Sequence, residues 1–460
     1  MSDYGFIEST GAELPVFLVG VDRLAEWLEG QPEHVRNWLE GRTGTMKPGG
    51  FSRLPGADGR GSGLLWVMPK KPDIWSIAGL QSRLWDAGFV LDASASPDAD
   101  MTDLCIGWAL STYRFGRYLK PDDKPKARLV WPESADRDRV AAFADAICFA
   151  RDLINTPADD MGPSELEAAA RGMAEKFGGT ATSVVGDDLL AQNYPMIHAV
   201  GRASDDAPRL IDLTFGDPDA PKVTLVGKGV CFDTGGLDLK PASGMELMRK
   251  DMGGAATALG LAQLLAATGA PIRLRVLVPA VENAVAGNAY RPGDILATRQ
   301  GISVEIGNTD AEGRLVLGDA LTLASEEKPD LLIDFATLTG AARVAVGTEI
   351  AAYFTRDDEL GDEVTASGRA VGDDVWRLPL HQGYRHLMDS PFADINNAGT
   401  GGFAGATTAA LFLKEFVTDP DRWVHFDIMA WNNRVRPGRP KGGEPMGLRA
   451  MYHLIMERYG

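Results

Sequence analysis

The sequence is poor in histidine. Its six, at positions 34, 198, 381, 386, 425 and 453, form no HExxH or other clustered ligand pattern. Any metal site must therefore be built from something else. His381 and His386 read as surface helix residues, and His425, inside an apolar run, as a satisfied core histidine. Cysteine is scarce too: Cys105, Cys148 and Cys231 are an odd number without metal-type spacing, which predicts reduced thiols in an intracellular protein. There is no basic excess, since 46 Lys and Arg face 64 Asp and Glu for a net charge of -18. That balance argues against nucleic acid or an anionic membrane surface as the main partner. The opening MSDYGFIESTG lacks a basic stretch followed by an apolar one, and no apolar run reaches spanning length. No membrane association is expected, and the expected location is cytoplasmic.

What is present is length and apolar content. At 460 residues and 45% apolar the chain can bury more than one core, so two domains are expected. Residues 1 to about 128 mix short strands (Pro15 to Val21, Gly63 to Val67) with amphipathic helices (Arg23 to Leu28, Ile77 to Ala87) and a Gly/Pro/Arg-rich loop, Lys47 to Ser62. This predicts a small α/β domain over 1–130 whose role the residues do not reveal, an oligomer contact or regulation being the options. Tryptophans at 27, 38, 66, 75 and 85 are read as packing. Pro121 to Arg137, charged and proline-containing, reads as the linker.

A larger catalytic domain is expected over 138–460. Val140 to Asn155 reads as a long helix stopped by Pro157, and Ser164 starts another. Strands then alternate with helices: Leu210 to Phe215, Val223 to Val226, helix Met245 to Ala267, strand Ile272 to Val278, helix Leu315 to Glu326, strand Leu331 to Phe335, helix Thr408 to Val417, strand Trp423 to Ile428. Apolar strands alternating with helices imply an α/β fold with a mostly parallel sheet, covered by helices on both faces.

Two stretches carry chemistry. In NTDAEGRL, Asn308 to Leu315, two acids, Asp310 and Glu312, sit two apart before Arg314, between a strand read over Ile302 to Ile306 and a helix. Acids aimed at one point repel unless a cation lies between them. Upstream, LVGKGVCFDTGGLDLKPASGMELMRKDM, Leu225 to Met252, supplies Lys228, Asp233, Lys240 and Asp251 among glycines that allow left-handed turns. Its GKG does not match the spacing of a phosphate-binding loop. Four carboxylates, Asp233, Asp251, Asp310 and Glu312, on strand ends and loops of one sheet suit two divalent ions, Zn²⁺, Mn²⁺, Mg²⁺ or Co²⁺, about 3.5 to 4 Å apart. Two dications balance four carboxylates, which leaves Lys228, Lys240 and Arg314. One lysine can then ligate as a neutral amine while the remaining cations face developing negative charge.

VGKGVCFDTGGLDLKP, MRKDMGGAA, NTDAEGRL and DFATLTGA resemble, in order and spacing across roughly 150 to 440, the leucine aminopeptidase (cytosol aminopeptidase) family. The resemblance implies that Lys228, Asp233, Asp251 and Glu312 ligate one metal, and Asp233, Asp310 and Glu312 the other. It makes Lys240 the catalytic lysine that polarises the scissile carbonyl, and Arg314 the anchor of a bicarbonate that relays protons. Asp251 and Lys240 would also contact substrate, a short peptide with a free amino terminus. The first side-chain pocket falls on Met248, Thr337, Leu338, Gly340 and Met429, the last where a small residue is common in the family. A homohexamer is implied as well. The run Phe392 to Leu413 resembles the family's loop and packing helix and is assigned structure, not chemistry. The amino-terminal domain offers no recognisable motif.

The activity so implied is metal-dependent release of amino-terminal residues, leucine and other apolar ones, from short peptides. Three rivals stand beside it, the last of which the sequence does not separate from general aminopeptidase activity. A two-metal phosphoesterase usually recruits histidines, and none lies near these motifs. A catalytically silent structural relative would have lost ligands, yet all seven charged positions are present. A peptidase specialised on dipeptides keeps the same chemistry.

Overall fold

A computed structural model describes residues 4–120 and 126–460. The chain divides into two compact units, 1–148 with 434–440, and 149–433 with 441–460.

The first unit carries a six-stranded sheet in the order Phe6–Ile7, Arg128–Val130, Gly88–Asp92, Leu14–Gly20, Gly61–Met68, Phe51–Pro55. All neighbours are parallel except the last pair. Val19, Leu65 and Val67 from its strands pack with Leu24, Val35 and Leu39 from helices Leu24–Glu29 and Glu33–Leu39. Two local expectations change. The helix expected over Ile77 to Ala87 is a succession of turns with a short 3₁₀ piece, Gln81–Arg83, because Ala78, Leu80, Arg83 and Leu84 donate to carbonyls three residues back rather than four. Part of the expected linker, 121–125, lies outside the described residues, while Arg128–Val130 is a strand inside the sheet. Helix Met101–Ser111 was not legible as amphipathic, because it is buried nearly all round.

The second unit is built on a nine-stranded sheet. Eight strands run in the order Val375–Arg377, Ala351–Phe354, Trp423–Asp427, Leu331–Ala336, Lys222–Gly227, Arg273–Asn283, Arg209–Phe215, Thr180–Val185. The ninth, Gly229–Asp233, pairs in parallel with the far end of Arg273–Asn283. The central four are parallel, as the apolar runs predict, with antiparallel pairs toward both edges. Helices cover both faces. Among the described residues no helix is long and apolar enough to cross a membrane.

Two departures position the site. The helix expected over Met245 to Ala267 is broken into a short helix Ala242–Met245, a 3₁₀ turn Met248–Met252 and a helix Gly253–Ala267. The break lets the helix start abut the strand ends: a Cβ at Gly254 would stand 2.1 Å from the carbonyl oxygen of Phe335, so only glycine fits. The strand before the acidic motif, Ser303–Glu305, belongs to a separate three-stranded sheet with Ile295–Ala297 and Ile395–Asn396. Asp310 and Glu312 therefore do not come from the same sheet as Asp233, as had been expected.

Candidate active site

The parallel strands end together, and their carboxyl ends supply the side chains. Lys228 directly follows Lys222–Gly227, Asp233 and Asn283 close their strands, and Thr337 follows Leu331–Ala336. Lys228 is held at both backbone polar groups, its N–H donating to Phe335 and its carbonyl accepting from Ala255, each at 2.9 Å. After Asp233, Gly235 and Gly236 turn the chain back with φ of +90° and +65°, and Gly235 N–H donates to Asp233 Oδ1 at 2.9 Å.

These turns line a cavity of ≈ 480 Å³. Its wall contains Lys228, Asp233, Asp251, Asp310, Glu312, Lys240 and Arg314, and also Met248, Thr337, Leu338 and Gly340. Met429, the remaining pocket candidate, is buried and does not line it. No histidine lines it either. His425 is fully buried, with Nδ1 2.6 Å from Asp334 Oδ1.

Ligand atoms of Asp233, Asp310 and Glu312 all lie within 4.8 Å of one another. Lys228 Nζ stands 2.6 Å from Asp251 Oδ2 and 2.9 Å from Glu312 Oε1. Lys240 Nζ is 2.8 Å from Asp233 Oδ2 and pairs with Asp310 Oδ1. Burial works against the charge on both lysines, but the surrounding carboxylates outweigh it and raise both amines above their ordinary range. Two of the acids feel the converse. Burial, and then the charge of Asp233, push Glu312 up to about 8 and Asp310 to about 6. Glu312 Oε2 is buried without a hydrogen-bond partner. A cluster in which two carboxylates titrate high and Glu312 Oε2 has no donor is short of positive charge, and its hard oxygen donors fit divalent cations. Arg314 is buried, its Nε has no hydrogen-bond partner, and burial brings its guanidinium down to about 10.

Several supporting contacts were not read from the sequence. Asn283 Nδ2 donates to Asp233 Oδ1 at 2.8 Å and to Thr309 O at 3.1 Å, linking the two motifs. Thr309 N–H donates to Asp238 Oδ2 at 2.8 Å, and Tyr290 Oη donates to Thr309 O at 2.6 Å. Thr337 Oγ1 donates to Asp251 Oδ1 at 2.7 Å, orienting that carboxylate. Asp238 lies inside the run that singled out Asp233 and Lys240, so proximity was a signal for it. Asn283 and Tyr290 lie in no motif and had none. Lys250 also lines the cavity, and burial lowers its amine to about 7.

Residues 148–452 match the catalytic-domain model of the cytosol aminopeptidase family. The chain belongs to that family. Its members are metal-dependent peptidases, and this chain is a peptidase. Residues 14–132, in which no motif was recognisable, match the M17 aminopeptidase N-terminal domain. A probable cytosol aminopeptidase of Roseiflexus castenholzii is 40% identical over 379 residues, 79% of this chain and 77% of that protein. Peptidase B of Serratia proteamaculans is 44% identical over 365 residues, 76% of this chain and 84% of that protein. Among solved structures, the cytosol aminopeptidase of Coxiella burnetii superposes with a TM-score of 0.93 at 44% identity, covering 100% of both chains. The bottromycin maturation enzyme BotP in complex with Mn gives 0.86 at 32% identity over 98% of this chain and 100% of its own.

Proposed function

We propose that the protein is a two-metal aminopeptidase that releases amino-terminal residues, leucine and other apolar ones among them, from short peptides. The observation that carries this reading is the convergence of Asp233, Asp251, Asp310 and Glu312 on one cavity together with Lys228, Lys240 and Arg314. Lys228, Asp233, Asp251 and Glu312 hold one divalent ion, and Asp233, Asp310 and Glu312 the other, zinc or manganese, with magnesium or cobalt also suited to these donors. Bound there, the ions supply Lewis acidity and bring the pKa of a water from about 15.7 toward 7.

The chain's own groups do the rest. Asp251, fixed by Thr337, lies beside the neutral α-amine of the peptide, which restricts cleavage to the first bond. Lys240 stays cationic and faces the scissile carbonyl oxygen, where negative charge develops. Arg314, buried with a spare N–H, holds a bicarbonate whose chemistry is proton relay. The family resemblance supports a homohexamer acting in the cytoplasm. The complete set of charged residues favours an active enzyme over a silent relative.

The test is chelation and reconstitution. Leucine p-nitroanilide hydrolysis should vanish after dialysis against a chelator and return with Mn²⁺ or Zn²⁺, at two ions per subunit. Undiminished hydrolysis by metal-free protein would sink the reading.

A further inference from the structure

One wall of the cavity is loosely held. Ala398 and Gly405 both line the cavity, and the chain between them is rich in glycine, four of the residues 399–405. Both feet of this loop are tied down. Ala398 N–H donates to Asn396 Oδ1 at 2.8 Å and Thr400 N–H to Leu387 O at 2.7 Å. At the other foot Ala404 O accepts from Thr408 N–H at 2.9 Å, at the start of helix Gly405–Lys414. Between the feet, no hydrogen bond among the described residues holds Gly401, Gly402 or Phe403. A tip so held opens and moves at low cost.

Phe403 stands on that tip 90% exposed, and apolar surface kept in water is unfavourable. The residue after it is strained. Ala404 has φ of +57°, a left-handed backbone that alanine rarely adopts. Gly402 adds a third sign: its φ is not left-handed and a Cβ there would meet nothing within 4 Å, so the loop as it stands does not require glycine at that place. Glycine there leaves the backbone free to take a second conformation.

We infer that residues 401–403 are a flap that folds over a bound peptide and lays Phe403 on the side chain following the scissile bond, favouring an aromatic or large aliphatic second residue. The inference rests on the aminopeptidase reading and extends it to the leaving residue. Position supports that choice. A Cβ at Gly307 would lie 2.9 Å from Ala398 Cβ, so the first foot stands beside the acidic loop that carries Asp310. Asp310 pairs with Lys240, which faces the scissile carbonyl, whereas Asp251, beside the amine, pairs with Lys228. A peptide with its amine at Asp251 and its carbonyl at Lys240 therefore continues toward Asp310 and the first foot. An apolar second residue meeting Phe403 takes both surfaces out of water.

The experiment uses the metal-loaded, full-length protein with Leu-Phe, Leu-Leu and Leu-Gly, which share the first residue and differ only in the second. The native enzyme should prefer Leu-Phe to Leu-Gly by roughly tenfold in kcat/KM, the scale of one apolar side chain in a pocket. Phe403→Ala should bring that ratio toward one, mainly through KM for Leu-Phe, and Phe403→Leu should keep part of it. If Phe403→Ala leaves the ratio intact and instead shifts the elution position on gel filtration, Phe403 packs against another copy of the chain, and the assignment to substrate is overturned. Hydrogen exchange reads the flap without turnover. The probes are the methyleneamine analogues of Leu-Phe and Leu-Gly, which cannot be hydrolysed at the central bond, at concentrations that inhibit leucine p-nitroanilide hydrolysis. The amides of residues 401–403 should exchange more slowly with the Leu-Phe analogue, and equal exchange with both overturns the flap. Hydrolysis of all three dipeptides at equal kcat/KM overturns the preference and leaves the aminopeptidase reading intact. Absence of hydrolysis with any metal overturns that reading and the inference built on it.

Discussion

The backbone carbonyl of Asn397 accepts a 2.6 Å hydrogen bond from Arg314 Nη1 across 83 residues of chain. The side chain of the same residue grips the acidic loop. Its Oδ1 accepts from Gly307 N–H at 2.8 Å and Asn308 N–H at 3.2 Å, and its Nδ2 donates to Asn308 O at 2.8 Å. Asn397 is fully buried, so these groups have no access to water.

Replacing Asn397 with alanine should therefore destabilise the protein by roughly 1–3 kcal/mol, the cost of leaving buried donors unpaired. It should also loosen Asp310 and Glu312. Thermal unfolding and metal titration of Asn397→Ala check this. Native-like melting together with native metal affinity would mean the loop is held by something else.

Glu312→Gln removes charge from the most central carboxylate of the cluster while keeping its shape. Occupancy of both metal positions should fall, and activity with it, when metal content is measured by elemental analysis after gel filtration. Two ions still bound per subunit would contradict the shared role assigned to Glu312.

Lys240→Ala should keep two ions and lose turnover by roughly 10²- to 10³-fold, as expected when a donor to a developing oxyanion is removed. Its partners Asp233 and Asp310 are acids that the proposed metals would neutralise, so metal loading should compensate for the lost ion pairs. Near-native kcat in Lys240→Ala would rule out the role.

Without metal ions, Glu312 holds a carboxyl raised from 4.5 to about 8, and Asp310 one raised from 3.8 to about 6, burial being the first cause in each case. The folded state then binds more protons than the unfolded state between these values. The stabilising contribution is full below about pH 4 and is lost as pH rises through 6 and 8. Metal-free protein should melt at progressively lower temperature from pH 5 to pH 8, and metal should raise Tm more at pH 8 than at pH 5. An equal gain at both pH values would contradict the cluster's charge balance.

How much of this was legible in the sequence follows from the range of each interaction. Lys228, Asp233, Lys240 and Asp251, like Asp310, Glu312 and Arg314, lie in short runs where glycines and acids leave a local imprint. Apolar runs such as Leu331 to Phe335 revealed the central strands, because a strand buried on both faces is apolar throughout. Asn283, Tyr290 and Asn397 were hidden because their partners are distant in the chain and a single polar residue has no period. The break before Gly253 was hidden because Met245 to Ala267 keeps helical composition, while the need for it comes from the approach of Gly254 to Phe335. Phe392 to Leu413 was assigned to structure without singling out Asn397, whose hydrogen bonds hold the acidic loop. The separate sheet of Ser303–Glu305 was invisible because pairing partners are not written in a three-residue strand.

The most direct test of the central claim is a panel of aminoacyl p-nitroanilides and Xaa-Gly dipeptides, assayed with and without added Mn²⁺ or Zn²⁺, beside the same compounds acetylated at the amino end. The account predicts metal-dependent cleavage of the free-amine set and none of the acetylated set. Cleavage of acetylated peptides at a comparable rate would contradict recognition of the amine beside Asp251, and with it the aminopeptidase mechanism.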